Sequence, residues 1–172
     1  MMRLEKIFLD EIEINRIIKR MTYEIYEKNY DTEDIVLIGV NQRGYILAQR
    51  ISNIARNHKN KNFSTGKVEV YFCNGIFDIQ NSLLNLKIEI NNKVVILITD
   101  VFLTGRISSA AISSIFFHGC PKVIQFATLI SGGHRQFPLV PNFTGKNIPT
   151  TENQKVTLKL RETDNVECVI LM

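Results

Sequence analysis

Apolar residues first recur at helical spacing between about Glu11 and Asn29, where Ile14, Ile17, Ile18, Met21 and Ile25 share one face and charge occupies the other. Asp10 stands at the N-cap position and the run Asp31 to Asp34 marks the exit. Residues 35–40 are continuously apolar and predict a buried strand. Asn41-Gln-Arg-Gly44 reads as a turn, followed by a helix from Tyr45 to about Ala55 carrying Ile46, Leu47, Ile51 and Ile54. Residues 59–67 are polar and predict a loop, and 68–72 a second strand. Residues 74–92 have weak periodicity, with turn signals at Asn74-Gly75 and Asn91-Asn92, and fit either a long irregular connection or a short hairpin. Residues 94–98 give the strongest strand, followed by Thr99-Asp100, a turn over 102–106 and a helix from Ile107 to near His118. A further strand spans 122–130 and closes on Ser131-Gly-Gly133. Pro138, Pro141 and Pro149 are expected to interrupt regular structure, and 156–160 and 166–171 predict two late antiparallel strands. Strands alternating with helices predict an α/β domain with a mainly parallel sheet.

Composition narrows the class without naming a chemistry. A chain of 172 residues, 45% apolar and 22% charged, predicts one globular domain over 1–172 rather than a disordered chain. No apolar run reaches the length of a membrane span, and the opening Met-Met-Arg-Leu-Glu-Lys lacks the apolar core of a signal peptide, so a cytoplasmic protein is expected. Cys73, Cys120 and Cys168 are odd in number and widely spaced, which fits neither a disulfide framework nor a zinc site, and Cys120 reads as a packing residue. The net charge of +4 permits phosphate-bearing partners without requiring them.

Ligands of open parallel sheets bind outside the carboxyl ends of the strands, which singles out three loops. In 99–108, Thr104 and Ser108 offer hydroxyls, Gly105 allows close backbone approach, and a helix start presents amides to an anion. Asp100 lies just upstream, where a carboxylate can accept hydrogen bonds from sugar hydroxyls. A ribose 5-phosphate suits this order, and helix capping by Asp100 and Thr104 accounts for the same residue types. In 41–44, Arg43 can make paired bonds to a pyrophosphate, whereas Gly44 also suits a tight turn. The third loop carries His134-Arg135, with no triad or paired-histidine spacing around it.

The stretch from Val94 to Arg106, a hydrophobic strand leading into an acidic residue and a Thr-Gly loop, resembles the phosphoribosyl-pyrophosphate signature of the type I phosphoribosyltransferases. Gly133-His-Arg-Gln-Phe-Pro138 and Thr144-Gly-Lys-Asn-Ile-Pro-Thr150 are similar to the GHRELP and VGKNIPT segments of the bacterial pyrimidine operon attenuation branch, whose members double as uracil phosphoribosyltransferases. Phe8 to Glu11 and Val40 to Gly44 fall in the family's order, so the resemblance covers nearly the whole chain.

That resemblance implies a type I phosphoribosyltransferase fold with a small C-terminal hood. Thr104, Gly105, Arg106 and Ser108 would hold the 5-phosphate, Asp100 the ribose hydroxyls, and Gln42, Arg43 and Gly44 would face a pyrophosphate carried with Mg2+. Residues 144–148, with Lys146 and Ile148, would lie over the base as part of the hood. The implied reaction joins uracil to phosphoribosyl pyrophosphate, giving UMP and pyrophosphate. It further implies a homodimer or tetramer. In an alternative reading the chain is a nucleotide-sensing regulator binding mRNA, for which Arg16, Lys19, Arg20, His134 and Arg135 are the candidate contacts. The chain departs from the family pattern where Thr99 replaces the first acid of an Asp-Asp pair and Ile107 a phosphate-loop threonine. Cys73-Asn-Gly75 stands where the family has a basic mobile loop, and Ser131-Gly-Gly133 replaces Asp-Arg-Gly. Weakened turnover is the expected consequence.

Overall fold

The computed structural model describes residues 6–78, 84–85, 89–151 and 154–172. Strand β1 (Lys6–Leu9) leads to helix α1 (Glu11–Lys28), which opens on a reciprocal cap: the Asp10 carboxylate accepts from Glu13 N–H, and the Glu13 carboxylate from Asp10 N–H. Ile14, Ile18, Met21 and Ile25 are buried along the face that the periodicity predicts. The chain continues through β2 (Ile35–Val40), α2 (Asn41–Lys59), β3 (Ser64–Val68), a hairpin of β4 (Phe72–Cys73) and β5 (Ile76–Phe77), and β6 (Leu84–Asn85). It then forms β7 (Val94–Phe102), α3 (Arg106–His118), β8 (Val123–Ser131), β9 (Phe143–Asn147), β10 (Val156–Lys159), α4 (Arg161–Asp164) and β11 (Cys168–Leu171).

The main sheet has the order β6-β3-β2-β7-β8-β9, parallel from β3 to β9 with β6 antiparallel at the edge. β2 and most of β7 are buried because helices or the small sheet cover both faces, which explains their unbroken apolar sequences. A second, antiparallel sheet of order β1-β11-β10 packs Leu9, Val156, Leu158 and Val169 into the same core as α1 and α2. Among the described residues, no helix is long and apolar enough to cross a membrane.

Several elements differ from the sequence reading, each for a local reason. Asn41–Gly44 is the first turn of α2 rather than a separate loop: Asn41 turns the chain at φ 54°, its side chain accepting from Val70 N–H. The second strand runs over 64–68, not 68–72, because pairing with β2 next to the sheet edge leaves Ser64, Thr65 and Lys67 only half-buried and so needs no apolar run. β9 forms despite the prolines, since Pro141 and Pro149 lie outside it. Over 74–92 the hairpin alternative holds at its start, where Asn74 and Gly75 both take positive φ as a two-residue hairpin turn demands. Residues 79–83 and 86–88 of that stretch lie outside the described residues. The late strands are antiparallel as expected, joined through α4. Residues 144–148 do not belong to the hood: β9 is the edge of the main sheet, and β1, β11 and β10 form the smaller sheet instead. Cys120 is exposed rather than packed.

Candidate functional site

A cleft of about 390 Å3 opens where the carboxyl end of β7 and the start of α3 face β10 of the small sheet. Asp100, Thr104, Gly105, Ile107 and Ser108 line one wall, Arg43 of α2 a second, and residues 155–158 the wall opposite.

The turn into α3 is built around Gly105, whose φ of 89° is costly for any residue with a β-carbon. Such a carbon would also meet the Phe137 Cβ at 3.2 Å and the Phe102 ring at 3.3 Å. The Thr104 carbonyl accepts from Gln136 N–H at 2.9 Å and Phe137 N–H at 3.2 Å, and the Phe102 carbonyl from Gly132 N–H at 2.8 Å, so the His134 loop braces this turn from behind. The first helical bond runs from Ser109 N–H to the Gly105 carbonyl, leaving the amides ahead of it outside the helical ladder, where Arg106 N–H donates to the Thr104 hydroxyl at 3.3 Å. Arg106 reaches over the Phe137 ring at 6.0 Å. Ser108 is buried in the cleft wall, and Ile107 is half-exposed beside it.

Asp100 lies at the head of this turn, partly buried, and desolvation pushes its carboxyl above the usual carboxylate range. The Val101 N–H and then the Arg43 charge pull in the other direction without overcoming burial. Thr99 is buried behind it, its hydroxyl 3.4 Å from both Asp100 Oδ1 and the Val101 carbonyl. Thr99 does not line the cleft.

Arg43 is already partnered. Its Nη2 donates to both carboxylate oxygens of Asp164, at 3.0 and 3.3 Å. Asp164 is fixed in turn by the Thr163 hydroxyl at 2.6 Å and Leu160 N–H at 3.0 Å, which with Arg43 hold its carboxyl below the usual range. Two turns further along α2, Arg50 bonds Glu162 and buried Glu167 at 2.7–2.9 Å. Those bonds, led by Glu167, raise the Arg50 pKa further. Two arginines of one helix thus clasp three carboxylates of α4 and the turn that follows it, between β10 and β11. Gly44 is buried where a β-carbon would stand 2.5 Å from the Ile98 carbonyl, and that close approach is what brings Arg43 to the end of β7.

The remaining candidates lie elsewhere. Gln42 is exposed outside the cleft. Lys146 is exposed on β9 and Ile148 buried beyond it, donating to the Ser131 carbonyl at 2.9 Å, and neither lines the cleft. Arg16, Lys19 and Arg20 line a shallow groove on α1 with Tyr23, Glu24 and Glu27. Arg20 also donates to the Gly145 carbonyl and pairs with Glu24 at 2.5 Å. His134 bonds the Thr150 carbonyl through Nε2, and Arg135 is exposed beside it. The two basic groups therefore bracket residues 145–150, within about 20 Å of chain. Sequence reasoning missed Lys155, Val156, Thr157 and Leu158 as cleft residues and Asp164 as the partner of Arg43; nothing but strand alternation marked the first four.

Comparison with known proteins agrees with this geometry. Residues 6–160 match the model of the phosphoribosyl transferase domain. The bifunctional protein PyrR of Clostridium kluyveri is 40% identical over 173 residues, covering 98% of this chain and 97% of that protein. PyrR of Clostridium novyi is 36% identical over 173 residues, with the same coverage. Among solved structures, a hypoxanthine phosphoribosyltransferase of Trypanosoma cruzi superposes with a TM-score of 0.80 at 18% identity, over 97% of this chain and 89% of that one. A hypoxanthine-guanine phosphoribosyltransferase of Bacillus anthracis does so at 0.77 and 18%, over 98% of both. The chain belongs to the type I phosphoribosyltransferase family, close to the PyrR proteins.

Proposed function

We propose that residues 1–172 act as one phosphoribosyltransferase unit that binds phosphoribosyl pyrophosphate and a pyrimidine base, joining uracil to the ribose with release of pyrophosphate. The observation that carries this reading is the left-handed Gly105 turn, which opens α3 toward a cleft shared with Asp100 and Arg43. Amides and hydroxyls of 104–108 hold the 5-phosphate, and Asp100 takes the ribose hydroxyls. Mg2+ would arrive with the pyrophosphate of the substrate and offset its charge, and Asp100 is the cleft carboxylate that would help hold it. Uracil N1 forms the new bond to ribose C1, the bond from C1 to the pyrophosphate oxygen breaks, and the N1 proton leaves to solvent. Charge developing on the ribose makes this chemistry a matter of positioning and electrostatic stabilisation.

Turnover is low in this reading. Thr99 supplies no second acid, and Arg43 is held by Asp164 rather than free for the departing group. Each missing charged hydrogen bond lowers the rate about ten- to a hundredfold where it acts in the transition state. Calorimetry with UMP and with Mg2+–phosphoribosyl pyrophosphate is the test: both bind, UMP formation is slow, and Asp100→Asn abolishes it. Absence of binding by either at millimolar ligand overturns the proposal.

A second reading, a nucleotide-sensing regulator gripping mRNA in a dimer or tetramer, is favoured by one observation, the Arg16–Lys19–Arg20 groove beside Tyr23, whose other edge carries Glu24 and Glu27. Phosphate contacts there make affinity fall with salt by about −0.7 in log slope per contact on a single strand. Binding of leader RNA that is indifferent to both salt and UMP removes this reading.

A further inference from the structure

Among the described residues, Asn41, Asn60, Asn74, Asn92 and Asn165 hold left-handed backbone, and of these Asn74 alone is followed by glycine. Asn74 and Gly75 form the two-residue turn of the β4–β5 hairpin, at φ 50° and 79°. Both residues are exposed, and a β-carbon at Gly75 would meet nothing within 4 Å. Neither the Asn74 side-chain amide nor the Gly75 N–H is drawn into a hydrogen bond with a described residue. The Asn41 side chain, by contrast, is tied to Val70 N–H at 3.0 Å.

The hairpin is lightly held. Its strands are two residues each and pair with one another outside the main sheet, and Phe72 and Ile76 stand in solvent. A two-stranded ribbon of this size is marginal in water, so the turn opens locally while the core stays folded. Glycine also leaves the backbone nitrogen after Asn74 without a β-carbon to hinder its approach to a neighbouring carbonyl.

We propose that Asn74 is a site of spontaneous covalent modification, at which the Gly75 backbone nitrogen closes on the side-chain carbonyl carbon of Asn74. The nitrogen gives up its proton to solvent, its bond to Asn74 Cγ forms, and the bond from Cγ to Nδ2 breaks. The nitrogen that leaves recovers a proton from solvent and departs as ammonia. Water then opens the cyclic imide at either carbonyl, giving aspartate or isoaspartate, so one water is consumed for each ammonia released and nothing is oxidised or reduced. Both products set a carboxylate on the turn. Isoaspartate also inserts a methylene into the main chain, which a two-residue turn has no room for while Phe72 faces Phe77. The hairpin follows the carboxyl end of β3, and the new charge falls on the side of the sheet that receives ligands.

Peptide mapping by mass spectrometry of the full chain, stored at neutral and at mildly alkaline pH, tests the proposal. The segment 72–77 is expected to change from amide to acid, as separable aspartate and isoaspartate forms. Conversion is faster at the higher pH, because the attacking nitrogen must lose its proton. Asn165, exposed at φ 56° but followed by Val166, keeps its amide over the same period. The rate at Asn74 in the folded protein lies within about tenfold of that in the urea-unfolded chain, since the hairpin opens freely. Gly75→Ala slows conversion in the folded and the unfolded chain alike, because a β-carbon hinders ring closure. The proposal is overturned if Asn74 keeps its amide in the folded protein, if Asn165 converts as fast, or if conversion ignores Gly75→Ala.

Discussion

Helices α2 and α3 both start at carboxyl ends of neighbouring parallel strands, β2 and β7, yet they present opposite faces to a ligand. The α3 start is open: Gly105 swings the chain, the His134 loop braces it from behind, and Thr104, Gly105 and Ser108 line the cleft. The α2 start is closed: its one cation, Arg43, is held by Asp164, and Asn41 is tied to Val70. One site is ready for an anion, and the other already holds one of the protein's own. Ground-state contacts set binding, whereas contacts made chiefly in the transition state set turnover. The contrast therefore predicts a protein that holds a 5-phosphate well and releases pyrophosphate poorly.

Destroying the open site gives the largest effect. Gly105→Val forces a β-branched residue to φ 89° and against Phe137 and Phe102. UMP affinity in calorimetry is expected to fall about a hundredfold as the turn shifts. Retained UMP binding would place the phosphate elsewhere.

Thr99→Asp comes next and acts on chemistry rather than binding. The second acid is expected to raise UMP formation about tenfold in the presence of Mg2+–phosphoribosyl pyrophosphate. Position 99 is buried against Asp100, so a new carboxylate there also destabilises the unliganded fold by about 1–3 kcal/mol, visible as a lower melting temperature. Faster turnover without loss of stability, or the reverse alone, breaks the link between this position and the missing acid.

The open site was far more legible in the sequence than the closed one. Thr104, Gly105 and Ser108 lie within five residues of one another, and a strand followed by a Gly turn and a helix states its own geometry. Arg43 was legible as a residue at a strand end, but its partner is 121 positions away, and no local pattern reports a contact made by tertiary packing. The same reason hid the hood wall, since residues 155–158 look like any half-buried strand. β9 was missed because Pro141 and Pro149 flank it closely, and β1 because four residues at an edge carry too little periodicity. The family resemblance places residues 144–148 in the hood, and only the pairing of β9 with β8 returns them to the main sheet.

Opening the closed site is a milder perturbation. Asp164→Asn keeps the shape of the side chain and removes the charge that neutralises Arg43. Pyrophosphate affinity is expected to rise about three- to tenfold and to become more salt-sensitive, while UMP affinity changes less than about twofold. The ion pair is partly exposed, so its loss weakens the fold by no more than about 1 kcal/mol. Pyrophosphate affinity that ignores the substitution would mean that Arg43 does not face that group.

The smallest effect separates the two carboxylates that flank Arg43 by the sign of their pH dependence. Burial raises the Asp100 pKa, so the folded chain keeps that proton to higher pH than the unfolded chain does. The stability this gives is fully present below the unfolded value, about 3.9, and is lost as pH rises through the folded value. Asp164 is shifted downward by the Thr163 hydroxyl, Leu160 N–H and Arg43, so its contribution is present above the unfolded value and disappears as pH falls through the folded one. Thermal melts between about pH 3 and pH 8 read both. Asp100→Asn should match the wild type in acid and melt a few degrees higher near neutrality, because asparagine cannot be left charged in a buried place. Asp164→Asn should melt lower near neutrality and converge with the wild type in acid. Parallel curves for the two variants would show that Asp100 is as well solvated as Asp164, and the proposed division between a buried sugar-binding acid and a clasp acid would then have no electrostatic basis.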